Sequence, residues 1–479
     1  MKQAFNLIAY YFIAILICVC CKKPPLNSSS STPGNPTPLT PQANRPPVAF
    51  AGPDITVYYD LQTCNTDQVN LDGRNSTDPD GTIVFYSWTG PGLFSKPDSA
   101  ATSVRPLSTG QHRFILLVSD DKGGSDRDTM IVNVISLMNR PAIDAQLVPF
   151  ATLSEAREGV AVGSAGNKIV FAGAASNSGQ TDPSTRVDIY DINTNSWSVA
   201  ELSAARQDFS VVTSGNKIFF AGGWEGNWWE YPLMFTNVDI YDAATDLWSV
   251  KHLSEARAWV GAASAGNKVF FAGGTNNYQA SSKVDIYDTE TNTWSTSKLS
   301  EPRSKISTQV AGNKVHFAGG SNGLGWVPRA TVDVYDNNTG LWSVSSMNEP
   351  KSNMKSFAMG SKILWAGGSS TNNLNHYTSG MVEIRDVITQ SSSFSCLHVP
   401  RGWDNDQKAV VKNNYIVFFT GYPAINKFDI YDIANNSWSI GVLNQNIAGA
   451  AVISVNNTIY VAGGYVNGSL SNVVWKLEF

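Results

Sequence analysis

The chain has 479 residues, enough for more than one hydrophobic core, and only 15% of them are charged, with a net charge of −5. That balance, with no basic run longer than a pair, excludes a general nucleic-acid binder. Plentiful glycine (39), tryptophan (14), tyrosine (17) and phenylalanine (21) point to an all-β protein with many tight turns.

The N-terminus, MKQAFNLIAYYFIAILICVCCKK, holds an apolar run after one lysine. The run is shorter than the roughly 18 residues of a membrane span and fits the apolar region of an export signal. It ends in Cys18, Cys20 and Cys21 rather than in a small-residue cleavage site. Residues 1–21 therefore resemble a bacterial lipoprotein signal, in which the cysteine after the cut is acylated. Ile17, Val19 and Cys20 stand where that family has Gly, Ala or Ser. Cys20 is the smallest of the three, so Cys21 is the expected attachment point. A plain signal peptide or a short uncleaved anchor is the alternative. Residues 22–45 are rich in Ser, Pro and Thr and cannot bury a core. At about 3.1 Å per residue an extended Pro-rich tether reaches ~70 Å. The expected location is a bacterial cell envelope, at the outer membrane or cell surface, with a secreted or periplasmic protein as the alternative. Beyond the signal only Cys64 and Cys396 remain, in separate domains, and the fold is not expected to use disulfides.

Residues 46–137 alternate apolar and polar residues in ITVYY and HRFILLVSD, the period of half-buried strands. Asp78-Pro79-Asp80-Gly81 is a turn with a mechanism: proline presets one dihedral and the aspartates accept from local amides. The AGPD opening, the STDPDG turn, Tyr86, Trp88 and VSDDKGG at 118–124 resemble the PKD domain, an immunoglobulin-like sandwich. The resemblance implies a spacer or weak adhesion module, with the acidic turn holding the fold rather than calcium.

Residues 146–479 repeat. A GNK-type turn leads into an apolar strand ending in AGG or a variant, as at Ala221–Gly223, Ala272–Gly274 and Ala318–Gly320; the sixth copy is degraded to TGY at Thr420–Tyr422. A VDIYD-like strand follows, starting at 187, 238, 284, 332, 382 and 428, so successive copies lie 46 to 51 residues apart. Seven residues beyond its tyrosine comes a tryptophan, Tyr190 to Trp197 through Tyr431 to Trp438. The fifth copy departs, with Arg385 for tyrosine and Phe394 as the stand-in for tryptophan. Diglycine followed by spaced Tyr and Trp resembles the kelch repeat, which implies a β-propeller of four-stranded blades. The seventh copy ends in its third strand, and QLVPFATLSEAR (146–157) aligns with the end of a fourth. The expected fold is therefore a seven-bladed kelch-type propeller, closed by its N-terminal strand and preceded by an immunoglobulin-like sandwich.

In kelch propellers the fourth-to-first and second-to-third strand loops share one face, and loops carry function more than scaffold does. The first kind repeats a basic residue: Arg157, Arg206, Arg257, Arg303, Lys351 and Arg401. These either ring the channel mouth and bind an acidic ligand, as in some kelch proteins, or belong to the repeat and pair with Glu155, Glu255 and Glu301. Subtracting the repeat leaves six tryptophans on these loops: Trp224, Trp228, Trp229, Trp259, Trp326 and Trp403. Tyr231 shares the longest loop, AGGWEGNWWEYP, with the first three. Aromatic faces beside arginines suit a sugar, whose apolar face lies on a ring while its hydroxyls take charged hydrogen bonds. The alternative is a hydrophobic plug.

No metal or cofactor is expected, since the five histidines are scattered and no metal-ligand or nucleotide motif has its context. The sequence favours a non-enzymatic, lipid-anchored protein recognising a glycan or protein ligand. Bacterial kelch propellers similar to this one include a sialic-acid mutarotase, so a cofactor-free carbohydrate enzyme is the alternative. A protein-interaction scaffold is the second.

Overall fold

The computed structural model describes residues 43–59, 69–91, 93–105, 110–136, 140–173, 183–227, 232–323, 326–372, 375–398, 408–419 and 424–479. Outside them lie the N-terminal signal with Cys21, most of the tether, Thr420–Tyr422, and five candidate site residues: Trp228, Trp229, Tyr231, Arg401 and Trp403. Every regular element among the described residues is a strand.

The first module is a sandwich. One sheet holds Ile55–Tyr59, Ser125–Ser136, Gly110–Asp120 and Ile83–Thr89 in that order, and the other holds Val69–Asp72, Ala101–Arg105 and Leu93–Phe94. Alternation along Phe114–Asp120 puts Phe114, Leu116 and Val118 into a core shared with Trp88, Val104 and Val132. The acidic turn is held by its own side chains: Asp78 Oδ1 accepts from the Asp80 amide at 3.1 Å, and Asp121 Oδ1 accepts from that of Thr82 at 3.0 Å.

Seven four-stranded antiparallel blades follow, their first strands at Ala161–Ala165, Ser210–Ser214, Gly261–Ala265, Ser307–Ala311, Lys355–Met359, Ala409–Lys412 and Ala451–Val455. Each second strand reads as a continuous apolar run because both of its faces are covered; KIVFA, KIFFA and KVFFA are buried at every position after the lysine. The fourth strands of blades one to four are outermost and mostly exposed, as in SWSVAE, whereas that of blade six is largely buried and pairs onward with Ala142–Thr152. The seventh blade takes its fourth strand from Ala142–Thr152, which pairs antiparallel with Val473–Glu478. The first residues of that strand also run parallel to Ile440–Leu443 of blade six.

The repeat residues do what their spacing demands. Tyr and Trp stand directly opposite each other on the third and fourth strands, with ring centroids 5.0 Å apart for Tyr190–Trp197 and 4.9 Å for Tyr431–Trp438. In blade five the residue opposite Arg385 is Ser392, and Phe394 faces Glu383. Phe394 therefore does not replace the tryptophan; it lies two residues further along. The diglycine works between blades: the Gly274 amide donates to the Arg303 carbonyl at 2.9 Å, and the Gly320 amide to that of Lys351 at 2.8 Å. At Gly274 φ is +98° and a Cβ would stand 2.7 Å from the Ala258 carbonyl oxygen, so only glycine fits.

Cys396 is disulfide-bonded, which corrects the expectation that the fold uses no disulfides. It is the one cysteine among the described residues, so its partner lies outside them.

Candidate functional site

The repeated arginines are part of the scaffold. Arg157, Arg206, Arg257 and Arg303 are fully buried, and each pairs with the aspartate of its own blade's DIYD-type strand: Asp188, Asp239, Asp285 and Asp333. Their Nη groups also donate to backbone carbonyls, as Arg157 Nη1 does to Gly173 at 3.0 Å and to Arg186 at 2.6 Å, while the Nε–H of each of the four is buried with no protein acceptor. Burial draws each guanidinium below its ordinary pKa, and the aspartate opposes that shift. The preceding glutamates bond elsewhere, Glu155 to Ser184 and Glu255 to Ser281. The expected arginine ring at the channel mouth is thus corrected for these four, because an ion pair so enclosed offers no donor to a ligand.

The mouth is made by the residue two positions after the basic repeat residue of blades one to five. Gly159, Asp208, Trp259, Lys305 and Asn353 all adopt left-handed backbone, with φ between 51° and 66°. That conformation turns their amides and carbonyls to the neighbouring blades. Trp259 N–H donates to the Asp208 carbonyl (3.2 Å), Lys305 to Trp259 (3.1 Å), and Asn353 to Lys305 (3.1 Å). Blades two to five are therefore stitched into a rigid rim. Asp and Asn tolerate positive φ, whereas a tryptophan there is unusual and is held in place by its surroundings.

Inside the rim lies a cavity of about 520 Å³. One level below the rim, the residues opposite the alanine of each AGG strand are small in blades one to four and seven: Ala161, Ser210, Gly261, Ser307 and Ala451. Blades five and six put Lys355 and Lys408 at that level. All these residues line the cavity.

Three of the surplus tryptophans converge on the rim. Trp224 sits in a short strand rather than a loop, is 5% exposed, and donates Nε1–H to Asp208 Oδ2 at 2.9 Å. Its ring lies 6.4 Å from that of Trp259, which meets Trp326 edge-on at 5.5 Å. Lys305 Nζ lies 4.6 Å from the Trp259 ring and 4.5 Å from that of Trp326. An ammonium so placed is attracted by both ring faces, by about 0.5–2 kcal/mol for each contact. The tryptophans thus meet one another and a cation, while Trp259 also lines the cavity.

Sequence reasoning found Trp259 and Trp326 but missed Asp208, Lys305, Asn353, Lys355 and Lys408. For three of them the signal was available: comparing the copies two residues after the basic repeat residue would have set Asp208, Lys305 and Asn353 apart from Gly159, whereas Lys355 and Lys408 stand four and seven residues on and align only through strand register. Among the described residues no group of His, Cys, Asp or Glu is arranged to hold a metal ion.

Residues 51–134 match a family model of the PKD domain, and residues 256–297 and 447–478 match the Kelch motif. Among curated proteins, Dyslexia-associated protein KIAA0319 of Homo sapiens is 38% identical over 108 residues, covering 22% of this chain and 10% of that one. Its homolog in Rattus norvegicus is 37% identical over 110 residues, again 22% and 10%. Low-density lipoprotein receptor-related protein 11 of Mus musculus is 34% identical over 104 residues, 20% of either chain. The chain thus matches about a tenth of the length of the first two relatives. The solved structure of YjhT is 13% identical, with a TM-score of 0.43, over 68% of this chain and 94% of that one. The chain joins a PKD domain to a β-propeller carrying Kelch motifs.

Proposed function

We propose that this protein is exported, anchored by an acylated Cys21 in a bacterial cell envelope, and binds a glycan at the channel mouth of its propeller. The observation that carries the reading is the cavity itself. A concave, rigid-rimmed space of about 520 Å³ combines the Trp259 ring with the polar side chains of Asp208, Lys305 and Asn353. Apolar surface with a few converging polar groups is the general make-up of a small-ligand site. Carboxylate, amide and ammonium together accept from and donate to sugar hydroxyls, and the indole edge or face covers a pyranose ring. The mutarotase-like alternative loses the four buried arginines it would have used.

Glycan-array binding by the full chain and by a Trp259→Ala/Trp326→Ala variant tests the reading. Wild type should bind a subset of glycans, and the variant should lose them while its melting temperature stays within a few degrees. A variant that binds equally well sends the site elsewhere. A wild type that binds no glycan but captures a protein makes the propeller an interaction scaffold.

A further inference from the structure

We infer that the disulfide of Cys396 runs to Cys64, so that the sandwich is no free spacer but is locked covalently to the flank of blade five.

The outer strand of blade five is buried where its sisters are exposed. Strand register places Cys396 at the position of Glu201, His252, Lys298 and Ser346 in blades one to four. Those four residues are exposed, whereas Cys396 is 5% exposed and Ser395 beside it 6%. Cover comes from the sandwich, whose edge strand Ile55–Tyr59 packs along Ser392–Cys396. Parallel pairing with Ser125–Ser136 sets Tyr59 opposite Ser136. The chain therefore leaves Ile55–Tyr59 at the end of the sandwich from which Ser136 leads on to Arg140. Arg140 in turn donates to the Cys396 carbonyl and pairs with Asp429. Cys64, which lies outside the described residues, follows Tyr59 by five positions, a reach of at most about 18 Å.

The competing thiols, Cys18, Cys20 and Cys21, arrive from the other end. The Arg45 amide donates to Asp80 at 3.4 Å, and Asp80 pairs with Lys122 in the turn that opens Ser125–Ser136. At about 3.3 Å per residue that turn stands roughly 36 Å from Ser136. Elimination points the same way and rests on the lipid-anchor reading: once the signal is cut and Cys21 acylated, Cys64 is the one other thiol left. Forming the bond removes two protons and two electrons from the paired thiols. A disulfide oxidant of the export compartment accepts them and leaves as two thiols. The bond encloses the rest of the sandwich and blades one to five, so it ties the two modules where the connecting segment crosses between them.

Peptide mapping by mass spectrometry, without reduction, tests this on the full chain exported by a bacterium and alkylated before lysis. Cys64 and Cys396 should appear in one cross-linked pair, neither alkylated, with lipid on Cys21. Reduction should speed hydrogen exchange in Ile55–Tyr59 and Ser392–Cys396 at least tenfold. Cys64→Ser, Cys396→Ser and the double variant should exchange alike, since each breaks the same bond. Alkylated Cys64 and Cys396, or a Cys396 bond to a second copy of the chain, overturns the lock and leaves the anchor reading standing. A bond from Cys396 to Cys18, Cys20 or Cys21 overturns both. The Cys64–Cys396 bond in a chain without lipid keeps the lock and overturns the anchor. A mapped bond whose reduction leaves exchange unchanged overturns the claim that it holds the sandwich in place.

Discussion

At the scale of single residues, the account turns on which charged groups are enclosed and which face the channel. Arg257 and Asp285 are both sealed from water, so truncating one strands the other. Arg257→Ala should cost about 3–5 kcal/mol in denaturant unfolding, whereas removing a surface pair costs at most ~1 kcal/mol. His316 gives a second residue-scale prediction. It lies within the second strand of blade four, at the register position that Phe270 holds in blade three. Burial, with the charges of Lys314 and Arg385, pushes its pKa down to about 4 from an ordinary 6.5. The folded state therefore binds fewer protons than the unfolded one, and stability should fall as pH drops from 6.5 toward 4. The loss is on the order of 3 kcal/mol. Urea melts at pH 7 and pH 4.5 should show it, and His316→Phe should flatten the difference. An unchanged slope in that variant would place the effect in other groups.

At the scale of elements, blades one to six each bury one acidic residue on the third strand, and the partner differs where the repeat departs. In blade five Lys351 replaces the arginine and Glu383 the aspartate. Glu383 accepts from Arg385 Nη2 at 2.7 Å, from the Asn348 amide at 3.0 Å and from Ser392 Oγ at 2.9 Å. Substituting Arg385 for the repeat tyrosine thus supplies the charge that a longer carboxylate needs. In blade six Asp429 pairs with Arg140, from the segment between sandwich and propeller, at 2.7 Å. The same guanidinium donates to the Cys396 carbonyl and lies 4.6 Å from the Trp438 ring. Arg140→Ala should cost about 3–5 kcal/mol by leaving a carboxylate enclosed with less counter-charge. Thermal unfolding should drop accordingly, and a drop below 1 °C would make the contact incidental. The elements legible in the sequence were those repeated at fixed spacing: AGG, the DIYD-type strand and its tryptophan. The ion pairs were not legible, because Arg206 and Asp239 are 33 residues apart and meet only after the second strand places one above the other. The lysines of the channel were hidden for a related reason. Lys355 and Lys408 become equivalent only once strand register aligns them with Ala161 and Ser210.

At the scale of the molecule, closure and cross-linking act together. The strand Ala142–Thr152 completes blade seven and also touches blade six. A ring closed by a sequence-distant strand resists opening, because one seam holds every blade interface. The disulfide at Cys396 adds a covalent tie at the edge of blade five. Cys396→Ser should lower stability by about 2–4 kcal/mol, read from denaturant midpoints under oxidising conditions. Equal midpoints for variant and wild type would show that the cross-link constrains nothing the fold has not already fixed. The face of the tryptophan-rich copy keeps its interest, since Trp224 packs as scaffold beneath the rim while Trp259 lines the cavity.

The central claim is that ligand enters the channel mouth. Hydrogen exchange read by mass spectrometry, on the full chain with and without a saturating glycan taken from the array, tests it most directly. The account predicts added protection in the segments that line the channel, around Trp259–Ala262, Lys305–Thr308 and Asn353–Ser356, with the outer fourth strands unchanged. Protection confined to the sandwich or to the outer strands, with the channel segments exchanging as before, would contradict it.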